Sequence, residues 1–203
     1  MKVLVTGFEP FGESDQNASM EIAKKLPKII GGAEIEVCIL PVIYGTCVEL
    51  LVEEIEASHP DAVVCLGLAG GYTGIAVERY AFNLMNGSGR PDNSGVIREE
   101  VLIEADGPAA YASKLPIHEM VAAMRAGGVP AYINDVIGSY VCNNLMYGLL
   151  HYSHTQKQPI LGGFIHVPFF TEQVIQRTKT ASLPLDVMTR GIELAIGEIV
   201  KKL

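Results

Sequence analysis

The chain has 203 residues, of which 49% are hydrophobic and 19% charged, a length and balance that support a full core in one large α/β domain over residues 1–203 and exclude extended disorder. A net charge of −8, a pI near 5.1 and the lack of any Lys/Arg cluster argue against nucleic acid or anionic membranes as partners. No stretch reaches the roughly 18 apolar residues that span a bilayer, and the apolar run at the N-terminus is too short for a signal-peptide core, so a cytoplasmic protein is expected.

Lys2 to Thr6 reads as a short strand ended by Gly7, and a helical pattern runs from about Ser19 to Leu26. Between them the loop Gly7-Phe8-Glu9-Pro10-Phe11-Gly12 carries two aromatics, which either line an apolar pocket at the carboxyl edge of a sheet or cover a sheet end. Glu34 to Leu40 is the next strand, and a helix from about Thr46 to Ala57 is closed by His59-Pro60, because the residue before a proline is pushed out of the α region. Asp61 to Leu66 is nearly all apolar, the pattern of a strand buried on both faces. It runs into Gly67-Leu68-Ala69-Gly70-Gly71-Tyr72-Thr73-Gly74, a loop that permits close backbone approach to a ligand but lacks the glycine spacing of nucleotide-phosphate sites.

Ile75 to Leu84 is apolar apart from Glu78-Arg79; a carboxylate there needs a partner, and an ion pair with Arg79 or another base is the plain solution. Asn86 to Gly95 is the strongest loop signal and is placed to border a site or a subunit contact. Val101 to Ile103 reads as a strand, a helix from about Ala109 to Ala126 stops at Gly127-Gly128, and Ala131 to Asp135 is a strand leading to the helix that opens with Cys142. Gly138 and Ser139 suit that helix's turn and cap, and Val141, Leu145, Leu149 and Tyr152 give it a core face. His151 and His154 in its last turns have the i, i+3 spacing of a ligand pair without a third member, so no metal is expected. Pro159 to His166 is the last clear strand and puts His166 at its carboxyl end; a helical stretch from Glu172 and an amphipathic helix from about Leu183 to Lys201 follow.

Cys38, Cys47, Cys65 and Cys142 form no C-x-x-C pair and read as free thiols, with Cys38 and Cys65 packed in strand patterns. Cys142 differs: in the first turn of a helix it meets unpaired backbone N–H groups and the positive end of the helix dipole, both of which favour a thiolate. The other reading open at this position is a small buried hydrophobe. Strands alternating with helices imply a mostly parallel sheet covered on both faces, whose carboxyl ends gather loops at one edge. Cys142, His166 (the best placed of the five histidines) and a carboxylate from an earlier segment are the parts of a Cys-His-acid triad.

Six motifs in series then carry a resemblance. Gly7-Phe8-Glu9-Pro10-Phe11-Gly12, Gly67-Leu68-Ala69-Gly70-Gly71, Glu78-Arg79 with Ala81 and Asn83, Pro91-Asp92-Asn93, Gly138 with Tyr140-Val141-Cys142-Asn143, and Phe164-Ile165-His166-Val167-Pro168 together resemble the pyroglutamyl peptidase I family, also called pyrrolidone-carboxylate peptidases, from the first strand to about Gln173. The resemblance implies a three-layer α/β/α sandwich around a mostly parallel twisted sheet, often assembled as a homotetramer. It also implies a cysteine exopeptidase that removes an N-terminal pyroglutamyl residue from peptides without a cofactor. By the same resemblance Cys142 is the nucleophile, His166 the general base and Glu78 the carboxylate that orients it. Phe8 and Phe11 correspond to the aromatics that sandwich the lactam ring, with Gly67, Leu68, Val141 and Arg90 as further substrate contacts.

The chain departs from the family pattern in three places. Asn134-Asp135-Val136-Ile137-Gly138 stands where the family has Ser-Asn-Thr-Ala-Gly, Gly89-Arg90-Pro91-Asp92-Asn93 where it has Arg-Ile-Pro-Asp-Asn, and Tyr72 replaces an arginine. Two alternatives stand beside the peptidase: a hydrolase of another small lactam or amide, and a non-catalytic α/β domain holding a small ligand between the Gly67–Gly74 loop and the Phe8/Phe11 pocket.

Overall fold

The computed structural model describes residues 1–12, 14–156 and 160–203, and the strand start expected at Pro159 lies outside them. Its elements follow in the order β1 (Lys2–Phe8), α1 (Ala18–Lys25), β2 (Ile29–Ile30), β3 (Ala33–Leu40), α2 (Thr46–Ser58), β4 (Ala62–Leu68), β5 (Ile75–Glu78), β6 (Tyr80–Phe82) and β7 (Ala110–Ala112). Then come α3 (Ile117–Ala126), β8 (Ala131–Asn134), α4 (Val141–Thr155), β9 (Leu161–Val167), β10 (Phe169–Phe170), a 3₁₀ turn (Thr171–Val174), β11 (Ser182–Leu183) and α5 (Leu185–Val200).

One sheet runs in the order β2-β3-β1-β4-β9-β5-β8. β3, β1, β4 and β9 are mutually parallel, which is why β4 and β9 read as continuous apolar runs: both their faces are covered. Val3, Val5, Val64, Leu66, Ile165 and Val167 pack on one side with Ile22 of α1, Met120 and Met124 of α3, and Ile192 and Ile196 of α5. Leu4, Val63, Cys65 and Phe164 pack on the other with Leu51 and Ile55 of α2 and Leu145 and Leu149 of α4. The period-2 alternation of the strands thus divides two cores between two helical layers, an α/β/α arrangement.

Two features of the sheet were not legible from periodicity. β5 pairs antiparallel with β9 and parallel with β8, so the last two strands run against the parallel four, and the edge expected to collect carboxyl ends is interrupted there. The segment expected to start a helix at Ala109 instead forms β7, paired antiparallel with β6, and the helix begins only at Ile117. Pro116 explains the delay, because its ring clashes with a helical carbonyl four residues upstream and its N–H is missing. Val101 makes a single bridge with Met85 rather than a strand, and only Thr171–Val174 of the stretch around Glu172 is helical, as a 3₁₀ turn.

Candidate active site

The strand pairing brings three side chains of interest to the α2/α4 face. His166 stands two residues after Phe164 on β9, hence on the same face, and is paired across the sheet with Gly67 on one side and Ala76 on the other. Glu78, two residues beyond Ala76 on the reversed strand, is the diagonal neighbour of His166 on that face. A side chain on Gly67 would meet the Phe164 ring at 2.6 Å and the His166 ring at 3.1 Å, so the glycine is what lets both rings approach β4 closely. Glycine is needed for a different reason at Gly138, whose φ of +93° turns the chain from β8 into α4.

His166 Nδ1 lies 2.8 Å from Glu78 Oε1, with both side chains buried. A carboxylate only accepts, so Nδ1 carries the hydrogen and Nε2 is the nitrogen that Glu78 leaves free, on a ring that lines the same cavity as Cys142. Burial pulls the imidazolium down most strongly, but the Cys142 charge and hydrogen bond, followed by those of Glu78, outweigh it and raise the His166 pKa to about 9. Of the bases expected as partners for Glu78, Arg79 is not the one: strand alternation sends it to the opposite side, where its Nε bonds Asp135 at 2.6 Å, and the base that meets the carboxylate is His166. The second oxygen of Glu78 accepts instead from Asn134 Nδ2 at 2.9 Å.

Cys142 sits in the first turn of α4, half-buried. Ser139 is not that helix's cap; Tyr140 is, without a side-chain bond, because the Ser139 hydroxyl donates to the Asn86 carbonyl at 2.8 Å. Among the described residues the N–H groups of Val141 and Cys142 have no acceptor, whereas those of Asn143 and Asn144 bond the Tyr140 carbonyl. Two donors at the positive end of a fifteen-residue helix therefore remain available beside the thiol. The other cysteines are poor candidates for reaction: burial pushes the Cys65 thiol up to about 12, and Cys47 and Cys38 are raised for the same reason.

Cys142 and His166 open onto a cavity of about 480 Å³ whose wall includes Phe8, Phe11, Val42, Leu68, Tyr72, Ile137 and Phe169. Phe8, Phe11, Leu68 and Arg90 thus stand on one wall with the thiol. Gly67 lies behind His166 rather than on the wall, and the Val141 side chain is buried in the core, which leaves only its backbone N–H on the side of the site. Arg90 stacks its guanidinium 4.8 Å from the centre of the Tyr140 ring and donates from Nε to the Gly87 carbonyl. Its loop is held in place by Asp92, which accepts from the N–H groups of Tyr44, Ser94 and Val96, and by Tyr140, which donates to the Pro91 carbonyl at 2.6 Å. The loop at 86–95 therefore borders the cavity. His151 is committed elsewhere, 3.0 Å from the Tyr111 hydroxyl.

The sequence profile described as Pyroglutamyl peptidase matches residues 1–202. The chain belongs to the pyroglutamyl peptidase family. Pyrrolidone-carboxylate peptidase of Streptococcus pyogenes serotype M1 is 46% identical over 200 residues, 98% of this chain and 93% of that protein. Pyroglutamyl peptidase I of Bacillus amyloliquefaciens, as a crystal structure, aligns with a TM-score of 0.94 at 37% identity over 98% of this chain and 97% of its own. A mutant pyrrolidone carboxyl peptidase from the hyperthermophile Pyrococcus furiosus aligns with a TM-score of 0.95 at 38% identity, covering 100% and 99%. Members of the pyroglutamyl peptidase family are cysteine peptidases, so this chain is an enzyme of the hydrolase class.

Three side-chain amides of this family member carry parts of the site, and the motifs assigned a role to none of them. Asn143 donates to the carbonyls of Phe82 and Leu84 and accepts from the Phe82 N–H, all at 2.8 Å, and Asn144 accepts from the Gly45 N–H, so the pair pins the start of α4 to β6 and to α2. Asn134 is the third. The available signal was polarity out of place: adjacent amides in a helix that is otherwise buried must find partners, and those partners locate the helix.

Proposed function

We propose that Cys142, His166 and Glu78 form the catalytic triad of a cysteine exopeptidase that releases N-terminal pyroglutamyl residues from peptides through a thioester. The observation that carries this reading is His166 hydrogen-bonded to the buried Glu78 carboxylate while it lines, together with Cys142, one cavity walled by aromatic side chains. His166 takes the proton of the Cys142 thiol, the sulfur attacks the carbonyl carbon that follows the lactam, and the oxyanion forms next to the free N–H groups of Val141 and Cys142. Collapse breaks the C–N bond, His166 gives its proton to the departing amine, and a thioester remains. The neutral ring then takes a proton from water, whose oxygen attacks the thioester carbonyl, releasing pyroglutamate and the thiol.

Selectivity has a physical basis in the wall. Among the described residues that line the cavity there is no Asp or Glu, while Arg90 is one of them, so an amino-terminal ammonium would be desolvated there without a counter-charge from them. A pyroglutamyl lactam carries no charge and fits between aromatic surfaces such as Phe8 and Phe11. The expected result is release of a chromophore from a pyroglutamyl amide with kcat/KM at least about 100-fold above that for the matching prolyl amide, which bears the ammonium. Equal rates, or faster cleavage of a prolyl or glutaryl amide, would favour a hydrolase of another small amide, and lactam binding without turnover would favour a binding domain.

We propose in addition that the protein forms a homo-oligomer. Val96, Ile97, Val101 and Leu102 are exposed on one irregular segment, an apolar surface suited to a second copy. Sedimentation velocity at micromolar concentration should show a species larger than 21.8 kDa, and a monomer at every concentration tested would dismiss the association.

A further inference from the structure

We propose that Asn134 is a positioning residue of the triad: its side-chain amide clamps Glu78 from the adjacent strand, so that the carboxylate presents its other oxygen to His166. The inference rests on the proposed Cys-His-Glu reading and adds to it. β5 and β8 pair in a register that sets Asn134 directly beside Glu78, so their side chains share a face by construction of the sheet. Asn134 Nδ2 lies 2.9 Å from Glu78 Oε2, 3.2 Å from the Tyr72 hydroxyl and 2.9 Å from the Val136 carbonyl. The carboxylate and the carbonyl are pure acceptors, which fixes the nitrogen rather than the oxygen of the amide toward them.

The electrostatics make this contact consequential. Glu78 is fully buried, and its neighbour Arg79 is spent on Asp135, so among the described residues no Lys or Arg holds the carboxylate. Among those residues two groups bond it: the His166 ring, whose charge changes during the reaction, and the Asn134 amide, whose charge does not. The amide is therefore the constant partner, keeping Glu78 oriented while the proton on His166 comes and goes. Tyr72 closes the far end, placing its hydroxyl on the amide and its ring edge-on to His166 with centroids 5.9 Å apart. These two positions, 72 and 134, are both among the chain's departures from the family motif, and the structure joins them through one hydrogen bond.

The discriminating variant is Asn134→Asp, which keeps the shape and exchanges the donor for an acceptor. The new carboxyl group faces Glu78 at hydrogen-bond distance, and two such groups share one proton more readily as pH falls. With that proton bound, the new group donates to Glu78 as the amide does; without it, the two charges repel. With a pyroglutamyl amide substrate, kcat of Asn134→Asp should be on the order of 100-fold below the unmodified enzyme at pH 8.5 and recover at least about tenfold relative to it at pH 5.5, with KM within about threefold throughout. Asn134→Ala should lose kcat at both pH values without recovery.

A purely structural role moves none of these ratios with pH. Asn134→Asp tracking the unmodified enzyme at both pH values, or losing activity equally at both, overturns the proposal. If Asn134→Asp does not fold, Asn134→Ala decides: a fall in kcat of about tenfold or more at constant KM upholds the clamp, and unchanged kcat, or a rise in KM alone, overturns it. Failure of the unmodified enzyme to cleave the substrate is a different result and counts against the proposed function instead.

Discussion

Replacing Cys142 by alanine should lower kcat/KM toward a pyroglutamyl amide by at least about four orders of magnitude while leaving the fold and lactam binding intact. The size of the effect follows from its origin: with no sulfur there is no thioester, and the remaining groups can only act on water. The selectivity of the effect follows from the surroundings. Cys142 is half-buried at a helix start, and what holds that start in place is the Asn143–Asn144 pair and the buried Val141 and Leu145, not the thiol. Thermal unfolding should therefore move little, by about 1 kcal/mol or less in stability. Calorimetry with a free five-membered lactam, 2-pyrrolidone, provides the binding check, since Phe8, Phe11 and Leu68 remain on the wall. Activity of Cys142→Ala within tenfold of the unmodified enzyme would remove the cysteine from the mechanism, and lost lactam binding would mean that the cavity and the thiol are not separable.

The contrast between what periodicity reveals and what it hides is clearest at this site. The amphipathic spacing of Val141, Leu145 and Leu149 announced a core-facing helix, and the apolar run ending at His166 announced a buried strand; both elements lie where those patterns put them. What no local pattern carries is strand direction. Glu78 reaches His166 because β5 runs antiparallel to β9, a consequence of how the chain returns to the sheet after Gly74 and not of the residues within β5. That the partner of Glu78 is another base and not Arg79 has a related reason: adjacent residues at a strand end face opposite ways, so a neighbour in sequence is the least available partner on the same face. Side-chain amides were the remaining blind spot. Asn134, Asn143 and Asn144 have partners at positions 78, 82, 84 and 45, distant in sequence and beyond any local argument.

Glu78→Gln tests the other half of the proposed triad, and the sign of its pH effect can be derived. Burial opposes the His166 charge, while Cys142 and then Glu78 favour it, and the balance holds the ring protonated up to about pH 9. The departing amine needs that proton, so kcat/KM should fall as pH rises through about 9 in the unmodified enzyme. The substitution is nearly isosteric and removes the negative charge while burial and Cys142 persist, so the pKa of the ring must drop, and the alkaline limb should move to lower pH by roughly one unit or more. A further loss comes from hydrogen-bond polarity. The new amide can accept from His166 Nδ1 only by directing its nitrogen toward Asn134 Nδ2, setting two donors against each other, or satisfy Asn134 by presenting its nitrogen to the ring and favouring the wrong tautomer. Either arrangement disorients the imidazole, and kcat should fall by about 10³-fold or more, comparable to tautomer errors in other triads. A pH–rate profile of both proteins with the same substrate measures the two effects together: an alkaline limb that stays in place, with kcat reduced less than tenfold, would show that the Glu78–His166 contact supports the fold and not the chemistry.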